Sequence, residues 1–178
     1  MAERTRELSA ANLRLEKLAT EDALTGIANR RSFDEKLMEL WHAFQRTQRP
    51  FSCLILDIDH FKQVNDVHGH ALGDQVLREL AGVLHDQVRV TDVLARYGGE
   101  EFALLLPETL AQPDALAVAE KIRETVENSR FVADLRITVS IGLSQVRAED
   151  EALDKLFERA DEALYRAKHQ GRNRVACA

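Results

Sequence analysis

Two short stretches of the chain place acidic residues where a sheet would end. One is "RYGGEEF", Arg96 to Phe102, in which a glycine pair and two adjacent glutamates separate apolar runs. The other is "DID", Asp57 to Asp59, directly after the apolar run "FSCLIL". Glycine pairs suit the φ > 0 turns that hairpins prefer, so Gly98–Gly99 reads as a hairpin tip followed by Glu100 and Glu101. If FSCLIL pairs beside that hairpin, Asp57 and the glutamates converge. Several carboxylates in one place repel one another unless a cation joins them. Hard oxygen ligands of this kind suit Mg²⁺ or Mn²⁺ bound together with substrate phosphates. Taken alone, an acidic pair after a strand is more often a turn or cap device; acidic residues at both places favour the metal.

Donors for phosphate lie nearby in sequence. His60, Phe61 and Lys62 follow the acidic pair and offer backbone N–H groups plus one ammonium. Lys168 and Arg172 flank "HQG" at the end of the last helix, where cations also complement the helix dipole. Asn65, His70 and Asp74 lie in and after the same polar stretch. Asn and Asp together supply donors and acceptors suited to a purine edge, although each also fits a cap or turn, Asp74 above all. Asp59 either braces the metal site or bonds backbone, and the second reading is preferred. His68 reads as loop decoration and Cys53 as core.

These residues need elements to hold them. A helical stretch runs to about Gln48 and is closed by Pro50. FSCLIL reads as a strand buried on both faces. A polar loop from Asp57 leads into a helix carrying Leu72, Val76, Leu77, Leu80, Val83 and Leu84. "DVLARY" and "FALLLP" form the hairpin, and a third helix starts near Pro113. "LRITVSIGLS" is a strand, the last helix spans about Glu151 to His169, and "GRNRVA" supplies a helix stop and a closing strand. The sum is an α/β domain, of the α+β kind, on a central, mostly antiparallel sheet flanked by helices. Residues 1–19 are set apart as a connector helix, with 20–178 as the main domain. Leu8 and Leu15, like Ala11 and Leu18, stand one heptad apart. They fit either a surface helix or the end of a coiled coil from an upstream sensor.

Bulk properties narrow the partners. A length of 178 residues fits one such domain, and a net charge of -6 argues against gripping a nucleic acid polymer. Small phosphorylated ligands need only a local cluster of donors. The two cysteines form no CxxC pair, which points away from zinc or a disulfide framework. No apolar run reaches the ~18 residues of a membrane span and no secretory signal opens the chain, so a cytoplasmic setting is expected.

"RYGGEEF" resembles the signature of the GGDEF family, the diguanylate cyclases, in its GGEEF form. "DALTGIANRR" (22–31), "DIDHFKQVNDVHGHALGDQVL" (57–77), "TVSIG" (138–142) and "ADEALYRAKHQGRN" (160–173) resemble the family's other blocks, in family order and spacing. The resemblance implies a palm-like fold related to nucleotidyl cyclases and polymerases. It implies metal ligation by Asp57, the Ile58 carbonyl and Glu100, with two divalent ions per active site. Glu100 would also be the base for the attacking 3′-hydroxyl, with Glu101 supporting the metal cluster. Asn65 and Asp74 would read guanine, with His70 lining the pocket. His60, Phe61, Lys62, Lys168 and Arg172 would hold the GTP triphosphate. Two domains would face each other as a homodimer and release cyclic di-GMP.

"RVTD", Arg89 to Asp92, ends five residues before the signature glycines. At that position the family carries an RxxD product-inhibition site, in which Arg89 would stack on guanine and Asp92 accept from its edge. A plain polar turn is the structural alternative. Lys121 or Arg123 is expected to complete that pocket. Two other functions compete with the cyclase: a catalytically silent cyclic di-GMP receptor or adaptor, and a cyclase or polymerase using another nucleotide.

Overall fold

The computed structural model describes Arg14 and residues 17–178. Leu8, Ala11 and Leu15 of the heptad stripe, and most of the 1–19 connector, lie outside the described residues. Leu18 is 65% exposed.

A two-residue strand β1 (Ala28–Asn29) leads into helix α1 (Arg30–Thr47). The Asn29 side chain accepts from Ser32 N, which satisfies one of the orphan donors of the first turn. The helix stops at Gln48, in the left-handed region at φ 56°, two residues before Pro50. Strand β2 (Phe51–Ile58) is buried along its whole length, as its apolar run requires. Helices α2 (Phe61–His68) and α3 (His70–His85) follow, then the hairpin of β3 (Val93–Arg96) and β4 (Glu101–Pro107). An irregular turn, Ala111–Ala115, contains a cis Gln112–Pro113 bond and precedes α4 (Leu116–Asn128). Strand β5 (Val139–Gln145), helix α5 (Asp154–His169) and strand β6 (Val175–Cys177) complete the described chain.

The strands form one six-stranded sheet in the order β1-β3-β4-β2-β5-β6. The interior pairings β3–β4, β4–β2 and β2–β5 are antiparallel, while the edge strands β1 and β6 pair parallel to their neighbours. The mostly antiparallel sheet is therefore present, with parallel rims. Alternation along β2 feeds two cores. Leu54, Leu56 and Ile58 pack with α3 and α4, and Cys53 and Ile55 pack with α1 and α5. Burial pushes the Cys53 thiol up to about 12, as fits an inert core residue.

Three local expectations are corrected. The stretch after Asp57 is largely helical, because Phe61 is buried and Val64 packs on the same core, so a short amphipathic turn outweighs the surrounding polar residues. Pro113 lies in the irregular turn rather than opening the helix, which starts at Leu116. The last helix begins at Asp154, not near Glu151. Among the described residues, no helix is long and apolar enough to cross a membrane.

Candidate active site

Asp57, one residue from the end of β2, sits in register opposite Glu101 on β4 and Ser140 on β5. Its neighbour Ile58 donates its N–H to the carbonyl of Glu100 at 3.4 Å, tying the strand end to the hairpin tip. The tip is tight: the N–H groups of Tyr97 and Gly98 both donate to the Glu101 carbonyl, at 2.8 and 3.2 Å. The Arg96 guanidinium then reaches forward to the Gly99 carbonyl at 2.8 and 3.1 Å and sideways to the Asp22 carboxylate at 3.2 and 3.3 Å. Burial raises the Asp22 pKa, but hydrogen bonds from Thr25 and Arg96 outweigh it and hold the carboxyl below its ordinary value.

Lys168, near the end of α5, places its ammonium 2.9 Å from Asp57 Oδ2. Burial pushes the Asp57 carboxyl above its ordinary value, and the Lys168 ammonium offsets that only in part. Burial likewise pushes Glu100 up, and the negative charge of Asp57 adds to it. These are carboxylates whose charged forms are short of compensating cation. Two carboxylates with the Ile58 carbonyl fit a divalent ion of the Mg²⁺ type, which takes few protein oxygens and leaves positions for phosphates.

The sheet end brings Asp57 and Glu100 near each other, and the negative charge of Glu101 also raises the Glu100 pKa. Among the described residues, no group of three or more His, Cys, Asp or Glu side chains is arranged to hold a metal. Glu101 turns back over the tip, where a Cβ added at Gly98 would lie 2.8 Å from its Oε2. It lines a cavity of about 560 Å³ between α1 and α5, beside Tyr97 and Phe157. Asp59 also stays out of the pair. It is buried and accepts from the hydroxyls of Thr138 and Ser140 and from the backbone N–H of Asn173.

The remaining sequence candidates for GTP lie on or just before α2, on α3 and after α5. His60, left-handed at φ 59°, turns the chain from β2 into α2, whose first residues are Phe61 and Lys62. Helix starts leave N–H groups without intrahelical partners, and Lys62 is exposed beside them. Phe61 is buried, so it contributes backbone and packing rather than a free ring. Arg172 is exposed and left-handed at φ 62°, and its charge helps lower the Asp57 pKa. Asn65 is half-buried against Gly73, where a Cβ would overlap its amide oxygen. That contact brings Asn65 beside the residue preceding Asp74; Asp74 and His70 are exposed on α3, and His68 on α2.

Arg89 and Asp92 form a reciprocal turn. The Arg89 N–H donates to Asp92 Oδ2 at 2.7 Å, and the Asp92 N–H to the Arg89 carbonyl at 3.0 Å. Both line a cavity of about 650 Å³ with Glu21, Ile27, His85 and Val90. Neither Lys121 nor Arg123 lines it. Arg123 is instead committed to Glu120, Glu127 and Asn173, at 2.7, 2.8 and 3.2 Å. The residues missed in the sequence are Asp22 and Arg96, which brace the tip, and Asn173. Asp22 and Arg96 both stand in quoted motif blocks, but a pairing across 74 residues leaves no local signal.

The family model for the diguanylate cyclase GGDEF domain matches residues 19–174. Response regulator PleD of Caulobacter vibrioides is 44% identical over 164 residues, covering 89% of this chain and 36% of that protein. Diguanylate cyclase DgcM of Escherichia coli is 44% identical over 164 residues, covering 92% of this chain and 40% of that protein. The chain thus spans about two fifths or less of these relatives. The crystal structure of the coiled coil and GGDEF domain of DgcB from Caulobacter crescentus, in complex with c-di-GMP, superposes with a TM-score of 0.88 at 35% identity, covering 99% of this chain and 96% of that one. The chain belongs to the diguanylate cyclase GGDEF domain family.

Proposed function

We propose that the chain is the catalytic part of a diguanylate cyclase, condensing two GTP molecules into cyclic di-GMP with release of two pyrophosphates. The observation that carries this reading is the junction of β2 with the hairpin tip, where Asp57, Glu100 and Lys168 meet and burial pushes both carboxyls up. Asp57, Glu100 and the Ile58 carbonyl would hold Mg²⁺ or Mn²⁺, two ions per site. Bound there, the metal supplies charge neutralisation of the triphosphate and a more acidic 3′-hydroxyl.

The chain's own groups do the rest. Glu100 takes the 3′-hydroxyl proton, while Glu101 supports the metal cluster. Lys62, Lys168, Arg172 and the first N–H groups of α2, with His60 and Phe61 at the turn, hold the triphosphate. Asn65 and Asp74 read the guanine edge and His70 closes the pocket. The 3′-oxygen of one GTP attacks the α-phosphorus of the other as pyrophosphate leaves, and the second bond forms the same way. One site holds one GTP, so two domains face each other as a homodimer. An upstream sensory segment would set that encounter, in the cytoplasm. Arg89 and Asp92 would bind cyclic di-GMP as an inhibitor.

Incubation of the purified protein with Mg²⁺ and GTP or ATP, with the product identified by mass, tests this. Cyclic di-GMP from GTP alone is the expected product. Glu100→Gln and Asp57→Asn are expected to lower turnover by at least about a thousandfold while leaving circular dichroism and melting unchanged. Turnover near the native rate in either variant refutes the assignment.

A further inference from the structure

Asp59 is placed like a catalytic carboxylate yet spends its acceptors elsewhere. Its Oδ1 accepts the Ser140 hydroxyl at 2.6 Å, and its Oδ2 accepts the Thr138 hydroxyl at 2.6 Å and the Asn173 N–H at 3.0 Å. The last of these bonds ties the end of β2 to the segment after α5.

That segment is conformationally unusual. Gly171, Arg172 and Asn173 have φ of 118°, 62° and 47° in succession. One left-handed residue suffices to end a helix. Consecutive ones in non-glycine residues persist only where surrounding contacts over-determine them. The contacts are present. The Arg172 N–H donates to the Ala167 carbonyl at 3.0 Å, and Arg174 Nε donates to the Arg172 carbonyl at 3.1 Å. The Asn173 side chain accepts from Arg123 at 3.2 Å and donates to Glu127 at 2.8 Å, both on α4.

Both ends of the 168–173 segment are therefore fastened to one strand end. Asp57 holds Lys168 at 2.9 Å and, two residues on, Asp59 holds Asn173. Arg172 stands between the two ties with its side chain exposed. We propose that Asp59 and Asn173 are positioning residues for Arg172, the spacing of Asp57 and Asp59 at the end of β2 acting as a two-point clamp that Arg123 and Glu127 steady from α4. This rests on the reading of Arg172 as a triphosphate-holding group. An arginine that grips the triphosphate equally in ground and transition states affects KM more than kcat.

Asn173→Gly isolates the clamp, because glycine suits φ 47° and keeps the N–H for Asp59 while deleting both side-chain bonds. The expected result is a KM for GTP raised roughly threefold to tenfold with kcat nearly unchanged. In an Arg172→Ala background the same substitution is expected to add nothing. An unchanged KM, or the same added factor in both backgrounds, overturns the proposal. If Asn173→Gly melts early, Glu127→Ala enters the same cycle, since it deletes one of the two side-chain bonds of Asn173 and keeps the other. It is expected to raise KM less than Asn173→Gly, and an equal or larger rise overturns the clamp. Amide hydrogen exchange over residues 171–174 reads the clamp without nucleotide. Faster exchange in Asn173→Gly supports it and unchanged exchange refutes it. If the native protein makes no cyclic di-GMP, the functional reading falls alone and exchange still decides the clamp.

Discussion

The Lys168 ammonium, 2.9 Å from Asp57 Oδ2, lowers the pKa of Asp57 and, from further off, that of Glu100. Burial works against it and prevails at both residues, so both titrate above their ordinary values of 3.8 and 4.5. A carboxyl with a raised pKa is ionised only at correspondingly higher pH. Activity that needs both charges is thus lost as pH falls through that raised range. Lys168→Met removes the one contribution from α5 that pulls both values down. At fixed metal concentration, the acid limb of its kcat/KM profile is expected to move to higher pH, and the plateau to fall by about a hundredfold. A limb that stays in place, measured over the same buffers, would mean that Lys168 acts on phosphate alone. At this scale the sequence was legible in residue types and not in their directions. Asp57 and Glu100 stood out because acidic residues follow an apolar strand and a glycine turn. Glu101 stood out equally, yet its carboxylate turns back over Gly98, a direction that residue type does not encode.

Helix α5 carries Lys168 to the sheet only because Gly142 lets it come close. A Cβ at Gly142 would overlap the Ala160 carbonyl oxygen and the Leu164 amide, both backbone atoms that cannot rotate aside. Lys168 lies four residues beyond Leu164, on the same stripe of the helix. Gly142→Ala is therefore expected to cost about 3 kcal/mol, or a melting temperature lower by roughly 10 °C. It is also expected to reduce turnover in whatever fraction stays folded, since α5 must lift away from Asp57. Melting by calorimetry, with activity read well below the transition, separates the two effects. The elements themselves were largely readable. Apolar runs gave β2 and β4, the glycine pair gave the hairpin, and helical spacing gave α3 and α5. The misses come from tertiary contacts that local composition does not carry. Phe61 and Val64 drew a polar stretch into α2, and the link from Asp22 through Arg96 to the Gly99 carbonyl joins segments that no local window spans.

Across the whole molecule, the Arg89–Asp92 cavity and the hairpin tip sit at opposite ends of one short strand. The cavity lined by Arg89 and Asp92 opens just before β3, and Arg96, the last residue of β3, holds the hairpin tip. A strand of this length spans roughly 13 Å, which sets the Arg89 cavity apart from the tip that would hold the triphosphate. Product bound there should therefore slow the reaction without competing with GTP, by shifting β3 and the tip or by holding two domains apart. Arg89→Ala keeps the backbone N–H that donates to Asp92, so the turn survives while the guanidinium is lost. Its initial rate is expected to equal the native rate, with inhibition by added cyclic di-GMP weakened about tenfold or more, one charged contact being worth that much. Initial-rate series across GTP concentrations decide the matter. Inhibition that GTP overcomes, or that persists unchanged in Arg89→Ala, would place the product in the GTP site and leave Arg89 and Asp92 as a polar turn before β3.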